Sequence, residues 1–502
     1  MAEQEASWGN LLSGPNMAHS LALSGGVALH AINVFVATTV LPSVVREIGG
    51  LELYAWNTTL FVVASILGSA LTPTLLSHSG SRGAYAIATI LFIAGSLTCA
   101  LAPSMPVMLI GRTLQGLGGG FLFALSYAMI YAVFEEYLWP KAMALISAMW
   151  GVATLLGPAI GGMFAQMDAW RAAFGILIPV TLLYIMLVWW VLPTRSRATT
   201  PTTSKIPIAQ LLLLIAAVLA VSVGSASSDP LWNIAGVLLA IVLMLLLVYK
   251  ESISQVRLLP RNALRRNSPL LALYLTIGLL VIGMTSETFV PYFLQTLHAQ
   301  TPLMSGYLAA LMAAGWTISE IWSSNYKHSG IRRAIVSGPV LVLAGMVVLA
   351  LSTPIHAQGG WLVLAFICLG LTLIGFGIGL GWPHLLTRVL QLAPDDDQDT
   401  AATSITTVQL LATALGSALA GMLANLGGIN HPGGIEGTSS AAFWVFAILA
   451  IAPLIAIGSA VRVAIVLGQQ KQVPLSAKTA SWGNDPALYG QGARNDDQPT
   501  AR

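Results

Sequence analysis

The sequence predicts an all-α polytopic membrane protein. It reads as fourteen transmembrane helices, in two six-helix halves plus two inserted helices, with the N- and C-termini cytoplasmic. Three observations carry this prediction. Charged residues are 8% of the 502-residue chain and hydrophobic ones 56%, whereas a soluble domain carries about 25% charged residues. Apolar runs recur that match the roughly 20 helical residues needed to cross a hydrocarbon core of about 30 Å. Lys and Arg gather in alternate links between those runs, as cytoplasmic loops require.

The first run, 17–42, follows a segment 1–16 with acids and no Lys or Arg, the wrong flank for a cleavable signal. Runs 53–76 and 83–102 are parted by the polar stretch His78–Arg82. Runs 105–134, 140–165 and 170–193 complete the first half, 17–193. Runs 206–226 and 231–249 form the inserted pair, 206–249, bracketed by Lys- and Arg-bearing links. Runs 268–298, 303–324, 331–353, 360–387, 400–425 and 440–467 form the second half, 268–467. The tail, 468–502, is polar and is expected to be disordered. With the N-terminus inside, 19 of the 22 Lys and Arg fall in cytoplasmic segments; Arg46 and Arg171 lie outside and Arg112 within a helix.

The chain also repeats itself. "HSGSR" at His78–Arg82 returns as "HSGIR" at His328–Arg332, 250 residues on, and "LFIAG" at Leu91–Gly95 meets "LVLAG" at Leu341–Gly345. "GPAIGGM" at Gly157–Met163 meets "GSALAGM" at Gly416–Met422, an offset of 259. Such a repeat fits two parallel halves related by an axis along the membrane normal, with a substrate site between them. The repeated "ASWGN" at Ala6–Asn10 and Ala480–Asn484 has no physical account.

Four stretches resemble the major facilitator superfamily, and within it the fourteen-helix drug:proton antiporter branch. "LIGRTLQGLGGG" (Leu109–Gly120) is similar to its fourth-helix motif with a buried arginine. "GVATLLGPAIGG" (Gly151–Gly162) is similar to its fifth-helix antiporter motif. "HSGSRGA" resembles a worn loop motif, with Gly80 and Arg82 and their repeats Gly330 and Arg332, and "DAWRAAFGILIP" (Asp168–Pro179) resembles the start of the sixth helix. Two positions depart from the branch: Ser77 and Asn33 stand where it commonly has aspartates. The resemblance implies alternating access, and for Gly151, Gly157, Pro158, Gly161 and Gly162 a surface sealing one side against a second-half helix, here 303–324. Small residues permit that close approach, and Pro158 bends the helix by removing a backbone bond.

Ionisable groups within the hydrocarbon cost at least a few kcal/mol, so each is a functional candidate. Arg112 lies about 10 Å from one end of its helix and His30 about 20 Å from the other end of its own, so their depths coincide. Resemblance places both helices on the cavity, where Arg112 would anchor an anionic group or set a neighbour's protonation. Asn33, on the His30 face, and Gln115 add neutral polar contacts. Glu287, four residues before Pro291, is the first candidate for proton coupling, with His30 and Glu320 next. Glu320 is also placed to gate the inner mouth or pair with Lys327. Phe289 and Trp316 are the aromatic cavity candidates, with Trp56, Trp150 and Trp382 behind them; Trp139 and Trp170 read as interface anchors.

These features exclude soluble enzyme chemistry. "GLGGG" follows no strand and lacks the Lys-Ser/Thr of a phosphate loop, and Cys99 and Cys368 lie singly in apolar runs. No cofactor, metal or nucleic-acid partner is expected. The implied function is a proton-coupled multidrug-efflux antiporter of amphipathic drugs or metabolites, a monomer in a bacterial inner membrane. Its partners are small-molecule substrate, protons and lipid bilayer. An organic-anion or siderophore transporter, and a non-transporting sensor, remain alternatives.

Overall fold

The computed structural model describes residues 8–192, 207–227, 229–324, 326–327, 329–356, 360–394 and 397–469. His328 of the repeated loop motif, the second "ASWGN" and the tail from residue 470 lie outside them. The regular elements among the described residues are all helical.

The first half comprises α1 (Gly14–Ile48), α2 (Trp56–Ala100), α3 (Met105–Ala128), α4 (Trp139–Gln166), α5 (Trp170–Gly175) and α6 (Leu177–Val191). The inserted pair is α7 (Ile208–Ser225) and α8 (Pro230–Ile253). The second half comprises α9 (Pro269–Met284), α10 (Val290–Leu297), α11 (Pro302–Ser323), α12 (Ser329–Ser352), α13 (Trp361–Leu392), α14 (Gln398–Leu426), α15 (Gly434–Leu449) and α16 (Ile451–Gln469). Several helices open on proline, as at Pro230, Pro269 and Pro302, because first-turn N–H groups have no helical partner to lose. Asp229 and Thr301 cap two of these starts, accepting from the N–H of Leu231 at 2.9 Å and of Met304 at 3.2 Å.

Twelve helices among the described residues are long and apolar enough to cross a membrane. The difference from fourteen has two sources: α11 is not among the twelve, and in α2 the runs 53–76 and 83–102 form one helical stretch broken at Gly80, with φ 65° and ψ 180°. That conformation is essentially reserved for glycine. The chain doubles back there, as the packing of α3 shows. Gly116 and Gly120 of α3 abut Phe61 and Ser65 of the first arm in ascending order. On the other arm the order descends: a Cβ on Gly111 would lie 2.6 Å from Cys99, and one on Gly118 2.6 Å from both the Ala88 oxygen and the Phe92 nitrogen. Runs 170–193 and 440–467 each divide into two helices, and run 268–298 into α9, a 3₁₀ turn over Thr285–Phe289, and α10.

The same packing recurs in the second half. Gly111, Gly116, Gly118 and Gly120 shifted by 259 residues are Gly370, Gly375, Gly377 and Gly379 of α13. Their neighbours Phe61, Ala88 and Cys99 are replaced by Met312, Gly338 and Leu349, shifts of 251, 250 and 250. In each half a glycine-lined helix is thus clasped by two neighbours at backbone contact. This packing answers the "GLGGG" run: helices in lipid have little hydrophobic drive to associate, so small residues that admit close backbone contact take its place.

One end of the bundle carries the loops around residues 49–55, 102–104, 167–169, 299–301 and 427–433. There the halves share a core, in which Val40, Val44, Tyr54 and Phe174 of the first half join Phe289, Phe293, Leu423 and Phe446 of the second. This is the closed end. Towards the other, terminal end, a separate cluster with Leu23, Val27, Tyr85, Phe121, Leu125 and Val188 belongs to the first half alone. Arg82, Lys141, Lys250, Arg261, Lys327, Arg332 and Arg388 lie towards the terminal end, and Arg46 and Arg171 at the closed end.

Candidate functional site

The first half buries a polar cluster around Arg112, which is 2% exposed. Its Nη1 donates to the Asn33 Oδ1 of α1, and to the Gln115 Oε1 at 2.8 Å. Gln115 in turn donates to the Ser96 Oγ at 2.9 Å. The guanidinium lies 4.2 Å from the Phe61 ring centroid, a cation–π contact worth up to about 2 kcal/mol when desolvated. No acid joins the cluster among the described residues, and the Arg112 Nε and Asn33 Nδ2 are buried without partners. The result is a fixed cation held by neutral acceptors.

His30 is also buried, but Asn33 turns to Arg112 and not to it. The His30 ring sits among Phe61, Phe123 and Trp150, with centroids 5.2, 5.5 and 6.0 Å away. Gly119 makes the room, since a Cβ there would lie 2.7 Å from the His30 Nδ1. Phe61, not singled out in the sequence, therefore touches both candidates; nothing in its apolar surroundings marked it.

Glu287 lies in the 3₁₀ turn between α9 and α10, half-buried, with no hydrogen bond or ion pair to its carboxylate among the described residues. Pro291 just beyond it lacks the N–H to continue a regular ladder, which leaves an irregular stretch at this point. Glu320 accepts from Trp316 Nε1 at 2.9 Å, and the Trp316 ring packs on Trp382 at 4.7 Å. The expected pairing of Glu320 with Lys327 is thus replaced by a bond within α11; the one ion pair among the described residues joins Arg171 to Glu47. Trp170, expected as an interface anchor, lies at a helix end, is buried against protein and donates to Glu47 Oε2 at 2.6 Å.

The antiporter-like stretch divides between two partners. Gly157 and Gly161 pack on α1, against Phe35 and against Val36 and Thr39, so that face meets its own half and not 303–324. Pro158 and Gly162 do reach α11. A Cβ on Gly306 would lie 3.0 Å from Pro158 Cβ, and one on Gly162 2.5 Å from the Leu303 Cα. Gly151 stands clear, with nothing within 4 Å of a Cβ built on it. In the loop motif, Arg82 Nε donates to the Leu192 carbonyl at 2.7 Å, tying α2 to the end of α6. Gly330 packs near Tyr326, while Arg332 is exposed at the start of α12.

Phe289 is not open to a cavity. At 1% exposed, it stacks on Tyr54 of the other half with centroids 4.8 Å apart, and Tyr54 also meets Tyr292 at 5.6 Å. Beside this stack, Arg46, Pro42 and Val45 of α1 face Tyr292, Gln295 and Thr296 of α10 across a cavity of about 170 Å³. Asn425 of α14 completes the junction. Its Nδ2 donates to the Glu52 carbonyl at 3.1 Å and to the Ser225 carbonyl of α7 at 2.8 Å, so one side chain joins both halves and the inserted pair. Tyr54 and Asn425 lie at segment ends, where hydrophobic periodicity carries no signal.

Comparison with known proteins agrees with this architecture. The family model described as Major Facilitator Superfamily matches residues 23–417. A probable multidrug-efflux transporter of Mycobacterium tuberculosis is 38% identical over 463 residues, covering 91% of this chain and 96% of that protein. A multidrug transporter protein of Bacillus subtilis is 28% identical over 367 residues, 72% of this chain and 66% of that one. Among solved structures, a D-xylose-proton symporter superposes with a TM-score of 0.62 at 15% identity, covering 88% of this chain and 97% of its own. At that identity the likeness concerns the fold alone.

Proposed function

We propose that this chain, which belongs to the major facilitator superfamily, is a proton-coupled exporter of amphipathic small molecules that works by alternating access. It is an integral membrane transporter and not an enzyme. In this reading the domains are the halves 17–193 and 268–467 with the inserted pair 206–249 between them. The helix α2, 45 residues long, is about 68 Å of helix at 1.5 Å per residue, more than twice the core thickness. Counting its two arms separately, and α11 as a crossing, gives fourteen. The cations at the terminal end support a cytoplasmic location for that end and for both chain termini. The closed end then faces outward, and the halves part towards the cytoplasm. The relatives' names favour export, and their bacterial sources favour a bacterial cytoplasmic membrane.

The observation that carries the reading is one membrane-depth carboxylate without a partner, Glu287, set where a helix is broken. In a transporter core, irregular backbone and an ionisable group together mark a binding or coupling site. Glu287 takes a proton from outside; Arg112, fixed by Asn33 and Gln115, supplies a standing positive field in the opposite half. Pro158 and Gly162 against Leu303 and Gly306, with the Tyr54–Phe289 stack, hold the outer side shut while cargo enters from the cytoplasm. Proton binding and cargo binding favour different states, which couples them. An Arg112 with no acid beside it favours neutral or anionic cargo over lipophilic cations, and an organic anion is the second reading that this same observation supports.

The test is proton flux in proteoliposomes with an internal pH reporter, using pooled anionic, neutral and cationic amphiphiles. Cargo-dependent proton movement in the wild type and its loss in Glu287→Gln are expected. Coupling that survives Glu287→Gln moves the carrier to His30 or Glu320, and cargo flux with no proton movement removes antiport.

A further inference from the structure

At the terminal end, α12 and α16 leave between them an open groove of about 640 Å³ on the outer surface of the bundle. Its mouth is lined by Ser329, Arg332 and Arg333, the first turns of α12. Both arginines are exposed, and no acid pairs with either among the described residues. Neither α12 nor α16 contains an Asp or Glu. Beyond the arginines the lining is mainly apolar, with Val336 and Val340 on α12 and Val461, Ala464 and Ile465 on α16, and Ser337 its one polar side chain.

The spacing explains this division. Arg332, Val336 and Val340 recur every four residues, so they form one stripe along α12. From Arg332 to Val340 the stripe runs about 12 Å at 1.5 Å per residue, from headgroup depth into the hydrocarbon. The mouth offers two guanidiniums, a hydroxyl and the positive end of a 24-residue helix, each favourable to phosphate. A soluble anion would use the mouth and leave the apolar floor uncovered; a diacyl lipid with an anionic head covers both. From this we infer that the groove between α12 and α16 is a binding site for an anionic phospholipid, its phosphate on Arg332 and Arg333 and an acyl chain along Val336, Val340 and Val461. Nothing in the transport reading requires this site.

The experiment places the full chain in phosphatidylcholine nanodiscs containing a minor fraction of phosphatidylglycerol, and counts retained lipids by native mass spectrometry. Preferential retention of phosphatidylglycerol is expected. The double variant Arg332→Gln, Arg333→Gln is expected to lower it about thirty-fold, taking roughly 1 kcal/mol per arginine at a membrane surface. Arg388→Gln, a cation at the same end outside the groove, leaves it unchanged. A photo-reactive residue incorporated at position 465 in the otherwise wild-type chain captures phosphatidylglycerol, which keeps the test intact should the double variant not fold. Equal retention of the two lipids, or capture of phosphatidylcholine alone at position 465, overturns the inference. Displacement of phosphatidylglycerol by millimolar inorganic phosphate also overturns it, and leaves an ion site in place of a lipid site.

Discussion

Replacing Asn33 by alanine tests how the buried Arg112 is held. The guanidinium has two side-chain acceptors, Asn33 Oδ1 and Gln115 Oε1, plus the Phe61 ring. A hydrogen bond to a charged group contributes about 1.5–3 kcal/mol, and Asn33→Ala removes one of the two acceptors without offering water in exchange. The loss expected is therefore about 2 kcal/mol, short of the roughly 3–5 kcal/mol seen when a buried charge loses its only partner. Asn33→Asp keeps an oxygen on Arg112 and adds opposite charge, so it is expected to unfold at or above the wild-type free energy. It also neutralises the cluster, which shifts cargo preference towards cations. Reversible unfolding in mixed detergent, followed by Trp fluorescence, measures the first effect, and competition between cationic and anionic cargo in proteoliposomes measures the second. If Asn33→Ala is as stable as wild type, or Asn33→Asp falls as far as Asn33→Ala, Asn33 does not anchor the arginine.

Other expectations follow from close approaches. Gly118→Ala puts a methyl into the Ala88 and Phe92 backbone, so it is expected to cost about 3 kcal/mol or more and to lower expression; Gly151→Ala, with open space around it, stays within about 1 kcal/mol of wild type or gains stability through helix propensity. Equal thermal melts for the two would contradict the packing of α2 on α3. Gly80→Ala forces a side chain into a glycine-only conformation and is expected to cost about 1–3 kcal/mol, read as a lowered melting temperature. Asn425→Ala removes bonds to Glu52 and Ser225. Spin labels placed across the closed end at Met167 and Ile435 are expected to show the open population rising about five- to thirty-fold, for one or two kcal/mol lost. An unchanged distance distribution would mean that this junction does not hold the halves together.

Position along each helix and the grouping of helices were legible in the residues alone. Hydrocarbon thickness sets the length of every run, and the cost of charge in lipid sends Lys and Arg to the links, so 139–166 and 302–323 were readable to within a residue or two as 140–165 and 303–324. The offset repeat was legible for the same local reason, though the four glycines that repeat most faithfully, from Gly111–Gly370 to Gly120–Gly379, gained their meaning only from the backbones they touch. Tertiary structure alone decided rotation and neighbours. An apolar run gives little indication of which side of a helix faces which partner, because lipid and protein interior are nearly alike to a Leu or a Val. That is why Gly157 and Gly161 turned to α1 while Pro158 and Gly162 reached α11. It is also why Asn33 turned to Arg112, 79 residues away, and why Phe289 became part of an aromatic contact between halves and not a cavity wall. In a membrane, composition says how deep a residue lies, and only packing says what it faces.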